Sequence, residues 1–447
     1  VLATAALAAV ASAPPPWEQR RVAVHVSRAC AARLRALGYE AAHDPSGFTT
    51  AVVYESEVAR CSYTARAGAV AVIFAEGGDR APLGVGLFDP LSPVRVRLLA
   101  HGATDTPVDA AWVAARVAAA TAERAALFAD AGEGGEETTG YRVVNGEHDG
   151  LPGLVVDRYG DVAVAKAYAA CWLPWAGHIA DALVTAGAAP RVALLTSREI
   201  ARLPAADRLG LEHGAALHGP PLEPSVPFLE HGLAFRCDPV SGQKTGFFLD
   251  QRDNRRRARD LCRGMDGPRV LNVFSYSGGF SLYAADGGAR EVVSVDAAPR
   301  AVADAEAHFE ANARRRPAVA AARHEGLVGD AFEAMAALTA GGRRFDVTVV
   351  DPPAFAQRAK SEGPALAAYR RLAALAARAT RDGGVVVLAS CSARVDAEAF
   401  GRAAEQGVKD AGRRLEVWER TGHAADHPVR AAGGRPYLKA VFGTVHV

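Results

Sequence analysis

The spacing of apolar residues changes character along the chain. From Arg21 to about His101, short β-type runs ("RVAVHV", "TAVVYE", "AVAVIFA", "PVRVRLLA") are separated by Gly, Pro and Asp, which predicts a small β-rich domain. Residues 108–129, "VDAAWVAARVAAATAERAALFA", place apolar side chains near i, i+3, i+4 and i+7 and predict a helix. The acidic, Gly-rich "DAGEGGEETTG" (130–140) reads as a linker or exposed loop. Then "GYRVVNGEHDGLPGLVVDRYGDVAVAKAY" predicts hairpins with Gly-rich turns, followed by a helix and the strand "RVALLTSR".

Past the Pro-rich break "HGPPLEPSVP" (218–227) the apolar residues cease to alternate. "RVLNVF" (269–274), "EVVSVD" (291–296), "FDVTVVD" (345–351) and "GVVVLAS" (384–390) are continuous apolar runs separated by Ala-rich helical segments. Strands buried on both faces and alternating with helices predict an α/β fold with a doubly wound parallel sheet. The expected division is a tail over 1–19, a β-rich domain over 20–104, a central α+β domain over 105–225 and the parallel-sheet domain over 226–447.

Composition adds bounds to this picture. A length of 447 residues suits two or three domains. With 51 Lys+Arg against 50 Asp+Glu, no global field advertises a polyanionic partner. The six cysteines (30, 61, 171, 237, 262, 391) include no Cys-x-x-Cys pair, which disfavours zinc ribbons and thioredoxin-like chemistry. No metal site is expected. No run approaches the ~20 apolar residues of a membrane span. The start, "VLATAALAAVASAPPPW", reads either as a targeting-like segment or as a disordered tail, so both bacterial cytoplasm and an organelle are expected compartments.

In such sheets the ligand sits beyond the carboxyl ends of the strands, so the residues at each exit matter most. The first run exits into "FSYSGGF", Phe274 to Phe280, with Gly278 and Gly279 allowing close approach of a ligand to backbone and helix N-terminus. The second delivers Asp296, 18 residues after Gly278, a spacing suited to the two hydroxyls of an adenosine ribose. A nucleoside-containing cofactor follows. The missing Gly-x-Gly-x-x-Gly disfavours a dinucleotide and favours S-adenosyl-L-methionine, with Asp330 in "LVGDAF" placed to meet the adenine amino group. The third exit is Asp351-Pro352-Pro353, where two prolines hold a carboxylate in extended backbone, followed by Phe355 as a surface for stacking a base. The fourth is Ser390-Cys391-Ser392. In the order 3-2-1-4-5 the strands ending at Asp351 and Ser390 are neighbours, which places Cys391 beside Asp351 as a candidate nucleophile.

These residues, together with "SGQKTGFFLDQRDNRR" (241–256), "YRVVNGEHDGLPGLVVDRYGD" (141–161) and "AADHPVRAAGGRPYLK" (424–439), resemble the S-adenosylmethionine-dependent 23S ribosomal RNA (cytosine-5) methyltransferases of the bacterial large-subunit type, which carry an N-terminal PUA domain. The resemblance implies a class I methyltransferase domain and large-subunit ribosomal RNA as partner. It implies cofactor contacts at Gln251, Arg252, Phe274, Ser275, Tyr276, Ser277, Gly278, Gly279, Asp296, Asp330, Asp351 and Pro352. It also places the nucleophile at Cys391, with Asp351 holding the base. The segment "QRDNRRRARD" (251–260) suggests Arg255, Arg256 and Arg259 for phosphate contacts, with Phe355 against a base. His427 is a candidate for removing the C5 proton, with a structural histidine as its other reading. The oligomeric state is open, a homodimer among the options. Three rival functions remain at this stage: methylation of another base atom without a cysteine nucleophile, dinucleotide oxidoreduction, and a non-catalytic RNA-binding or assembly role.

Overall fold

The computed structural model describes residues 15–43, 46–63, 65–77, 81–102, 105–129, 136–355 and 362–447. Most of the targeting-like segment, residues 1–14, lies outside them, as does most of the 130–140 loop. Among the described residues no helix is long and apolar enough to cross a membrane. Two compact units result, Val1–Leu249 with Asp426–Gly434, and Asp250–Ala425 with Arg435–Val447. The hairpin Val226–Glu230/Leu233–Cys237, expected with the parallel sheet, therefore falls in the first unit.

Besides that hairpin, the described residues of the first unit form two larger sheets. A six-stranded one has the spatial order 52–54, 94–101, 82–88, 70–75, 22–26, 58–61, and a five-stranded one the order 215–218, 191–196, 162–167, 154–159, 140–145. The β-rich expectation for 20–104 overlooked the helix Arg28–His43, whose Cys30, Ala31 and Leu34 are buried in the core of that sheet. The helix expected over 108–129 spans Ala110–Phe128, capped by the Asp109 carboxylate on the Trp112 N–H. A buried Arg124–Asp149 pair (2.7 Å) ties it to the turn after the strand Gly140–Asn145.

The second unit is built on seven strands: β1 (Arg269–Val273), β2 (Glu291–Asp296), β3 (Arg323–Val328), β4 (Phe345–Val350), β5 (Thr380–Ser390), β6 (Arg414–Thr421) and β7 (Lys439–His446). Their order is β3-β2-β1-β4-β5-β7-β6. The first five pair in parallel, and β7 is antiparallel to both β5 and β6. All four apolar runs named from the sequence are strands of this sheet, and the expected 3-2-1-4-5 order holds. Val270, Leu271, Val273, Val292, Val293, Val349, Val386 and Val387 are at most 1% exposed, as a sheet covered on both faces requires. Strand order reverses between β1 and β4, with β2 and β3 laid to one side and β5 to the other, and such a switch point opens a crevice above the strand ends. Six helices are used below: α1 (Arg252–Arg263), α2 (Gly279–Asp286), α3 (Pro299–Ala313), α4 (Ala331–Ala340), α5 (Glu362–Ala379) and α6 (Ala397–Asp410).

Candidate active site

The loop between β1 and α2 is held in a conformation that side chains seldom adopt. Phe274 and Tyr276 have φ of 59° and 47°, sparsely populated values of the kind that collect at ligand sites. Gly278 has φ 76°, and a Cβ there would lie 2.7 Å from the Ala305 Cβ of α3, so this position accepts only glycine without strain or movement. Asp296 closes the loop. Its Oδ2 accepts from the Tyr276 N–H (2.8 Å) and its Oδ1 from the Ala298 N–H (2.9 Å), while the Ser275 N–H donates to the Val295 carbonyl (2.9 Å).

Two buried hydroxyls in this loop, Ser275 Oγ and Ser277 Oγ, have no hydrogen-bond partner among the described residues. Orphan buried polar atoms are rare in folded proteins. Here they stand on a loop with a Gly-only cradle and a carboxylate at the next strand's end, which fits a nucleoside-bearing ligand. Asp330 is at the exit of β3 as expected, and it caps α4 by accepting from the Phe332 and Glu333 N–H groups (2.9 and 3.1 Å).

Below the loop runs a chain of side-chain hydrogen bonds. Asn272 Nδ2 donates to Ser281 Oγ (2.9 Å), Ser281 meets Ser294 Oγ (2.7 Å), and Ser294 meets His324 Nε2 (2.8 Å). Burial pushes the His324 pKa down to about 4. The chain crosses β1, α2, β2 and β3, so it fixes the elements that flank the β1–α2 loop to one another.

Asp351 and Cys391 end neighbouring strands. The β4–β5 register pairs Val350 with Leu388, and Cys391 Sγ lies 3.8 Å from the Pro352 carbonyl. Both residues are half-buried. The flanking serines explain why the cysteine turns toward that edge. Ser390 is the last residue of β5 and Ser392 lies two further on, and both are fully buried while Cys391 between them is not. Ser390 donates to the Tyr369 hydroxyl (2.9 Å), and the same hydroxyl meets Ser392 Oγ at 2.8 Å. One buried tyrosine of α5 thereby pins both flanks of the turn.

Gln251 approaches from the start of α1. Its Nε2 donates to Asp351 Oδ2 (3.0 Å) and its Oε1 accepts from Asn254 Nδ2 (2.6 Å), while Asn254 Oδ1 accepts from Thr421 (2.7 Å). Because Asn254 occupies the amide oxygen, the Gln251 NH₂ is aimed at Asp351. Asn254 was not anticipated, although its place three residues after Gln251 on a helix would have suggested a shared face.

The arginines correct an expectation. Arg252, Arg255 and Arg259 are 1–2% exposed. They follow the i, i+3, i+7 face of α1 that also buries Ala258 and Cys262. Arg259 lies 3.4 Å from Asp286, and both Arg255 and Arg259 lie over the Tyr283 ring. Arg255 and Arg259 thus serve packing inside the unit rather than a polyanion outside it. Arg256 is exposed. Phe355 sets its ring 5.2 Å from that of Tyr369, and residues 356–361, which follow it, lie outside the described residues. His427 falls in the first unit, 2% exposed, with Nδ1 3.0 Å from Asp426 Oδ1, an environment that favours its structural reading.

Known proteins resemble this chain in sequence and in fold. A family model described as S-adenosylmethionine-dependent methyltransferase matches residues 210–402. A "Ribosomal RNA large subunit methyltransferase" of Deinococcus radiodurans is 45% identical over 390 residues, covering 87% of this chain and 92% of that protein. A "Ribosomal RNA large subunit methyltransferase I" of Aliivibrio fischeri (strain MJ11) is 32% identical over 381 residues, covering 85% and 91%. Among solved structures, one from Streptococcus mutans assigned as a SAM-dependent methyltransferase superposes with a TM-score of 0.72 at 20% identity, covering 94% of this chain and 99% of that one. At that identity the likeness speaks for the fold.

Proposed function

Because the chain belongs to the S-adenosylmethionine-dependent ribosomal RNA large subunit methyltransferases, we propose that it methylates C5 of a cytosine in large-subunit ribosomal RNA through a covalent adduct with Cys391. The observation that supports this most is the placement of a half-buried cysteine and a prolyl-fixed aspartate at the exits of adjacent parallel strands. The cofactor supplies a methyl group on a sulfonium. Phe274 to Gly279, Asp296, Asp330 and Pro352 would hold it, the Ser275 and Ser277 hydroxyls finding partners there.

C5 of cytosine is a poor nucleophile. The Cys391 thiolate forms a bond to C6, and the displaced π electrons make C5 enamine-like, so one hard step becomes two easier ones. Asp351, oriented by Gln251, accepts from the N4 amino group of the base and holds the ring with C6 toward Cys391. Once C5 carries the methyl group, its proton leaves to a base, the electron pair re-forms the C5–C6 double bond, and the C6–S bond breaks to return the thiolate. A cytosine can meet Cys391 in this way only when unstacked or single-stranded. On the same reading Phe355 contacts the base, Arg256 meets phosphate, and the six-stranded domain is of the PUA type and binds RNA.

The test compares wild type with Cys391→Ala in transfer of labelled methyl to unmethylated large-subunit RNA. Formation of 5-methylcytosine by wild type and none by the variant is expected. Equal activity would mean direct methylation at another atom.

A further inference from the structure

The Ser390-Cys391-Ser392 turn lies against a buried cation. In the antiparallel pairing of β5 with β7, Lys439 stands opposite Ser390. Lys439 is 6% exposed, and its ammonium donates to the carbonyls of Ser392 (2.5 Å), Val395 and Tyr437 (3.2 Å). Three carbonyls satisfy three protons but supply no countercharge, and among the described residues none of its partners is a carboxylate. A buried cation in that state is costly. Burial pushes the Lys439 pKa down, and the charges of Cys391 and Asp396 act in the opposite sense. Asp396 is engaged as the N-cap of α6, where its Oδ1 accepts from the Ala399 N–H at 2.7 Å.

The other titratable groups around the thiol do not favour its ionisation. Tyr369 of α5 has its pKa pushed up by burial and stays neutral between the two serines. Asp351, next to Pro352 at the exit of β4, brings a carboxyl group and no cation to the thiol. A thiolate here needs a fixed cation, and Lys439 is a buried ammonium whose hydrogen-bond partners among the described residues are carbonyls.

We propose that Lys439 is the positioning residue for the nucleophile, its buried ammonium holding Cys391 as thiolate near neutral pH. The thiol proton leaves to solvent and Lys439 stays protonated throughout. This rests on Cys391 being the nucleophile of the reaction proposed above.

The experiment is the pH profile of Cys391 alkylation by iodoacetamide, followed on its own peptide by mass spectrometry in wild type, Lys439→Arg and Lys439→Met. Cys61, the other half-buried cysteine, serves as internal reference. Wild type should titrate below the ordinary thiol value of about 8.5, and Lys439→Arg should keep that profile. Lys439→Met should move it up by about one unit, so that alkylation at pH 7 slows about three- to eightfold, with Cys61 unchanged. A wild-type profile at or above the ordinary value overturns the proposal even if Lys439→Met does not fold. So does a Lys439→Met profile equal to wild type. Methyl transfer by Cys391→Ala decides the nucleophile separately: an active variant with a low wild-type thiol pKa removes the nucleophile, whereas an inactive one with an ordinary pKa removes only the role of Lys439.

Discussion

Gly278→Ala separates two costs at the β1–α2 loop. The first is conformational: at φ 76° a side chain adds about 1–2 kcal/mol. The second is steric. The new Cβ would sit 2.7 Å from Ala305 Cβ and 3.3 Å from Ala305 Cα, well inside ordinary contact, and Ala305 sits on α3, a fifteen-residue helix that cannot yield at one residue alone. Overpacking of this kind costs about 1–3 kcal/mol, for a total of about 2–5 kcal/mol. Gly342→Ala is the internal control, since Gly342 has φ +77° with nothing within 4 Å of its would-be Cβ, so it should show the conformational cost alone. Urea denaturation of both variants measures the difference. Calorimetric titration with S-adenosylmethionine should show Gly278→Ala weakened at least tenfold and Gly342→Ala unchanged. If the two variants lose equal stability, the close approach of the loop to α3 is not the reason for glycine.

Two other predictions concern the supports of the site. Tyr369→Phe removes the hydroxyl shared by Ser390 and Ser392 and should destabilise the second unit by about 1–3 kcal/mol. It should also slow methyl transfer, and unchanged urea midpoint and rate would show that the turn does not need it. His324 is held neutral with a pKa of about 4 in the folded state, below the unfolded value near 6.5. Above pH 6.5 both states are neutral and nothing changes; as pH falls from 6.5 toward 4 the unfolded chain takes up a proton that the folded one does not, and stability declines by up to about 3 kcal/mol. Urea titrations at pH 7 and pH 5 should show about 2 kcal/mol of this loss in wild type, and a much smaller one in His324→Gln.

The strands that carry the chemistry were legible because each is an apolar run buried on both faces. Strand β3, "RHEGLV", was not, since it lies at the sheet edge, partly exposed throughout, and edge position relieves it of the need for an apolar pattern. Helix α1 misled for a related reason. Arginines at i, i+3 and i+7 read as a solvated face, yet Tyr283 and Asp286 of α2 make that face the buried one. The neighbouring exits of Asp351 and Cys391 were visible through strand order, which depends on local runs. Lys439 was not, because its link to Cys391 is a cross-strand pairing between residues 49 apart in the chain at Ser390 and Lys439. Nothing near "PYLK" signals it. Likewise Asp426–Gly434 returns to the first unit through pairs such as Arg430 with Glu123 (2.9 Å), a long-range closure that local composition does not announce.

The central claim is the bond between Cys391 and C6 of a cytosine. Fluorine at C5 cannot leave as a proton does, so RNA carrying 5-fluorocytidine should halt the reaction after methyl transfer with the chain still attached. Wild type incubated with this RNA and S-adenosylmethionine should give a covalent complex stable to denaturing gel electrophoresis, with the nucleotide mass on the Cys391 peptide. Cys391→Ala should give none. Absence of any adduct from wild type, while the same preparation methylates unmodified RNA, would contradict the account.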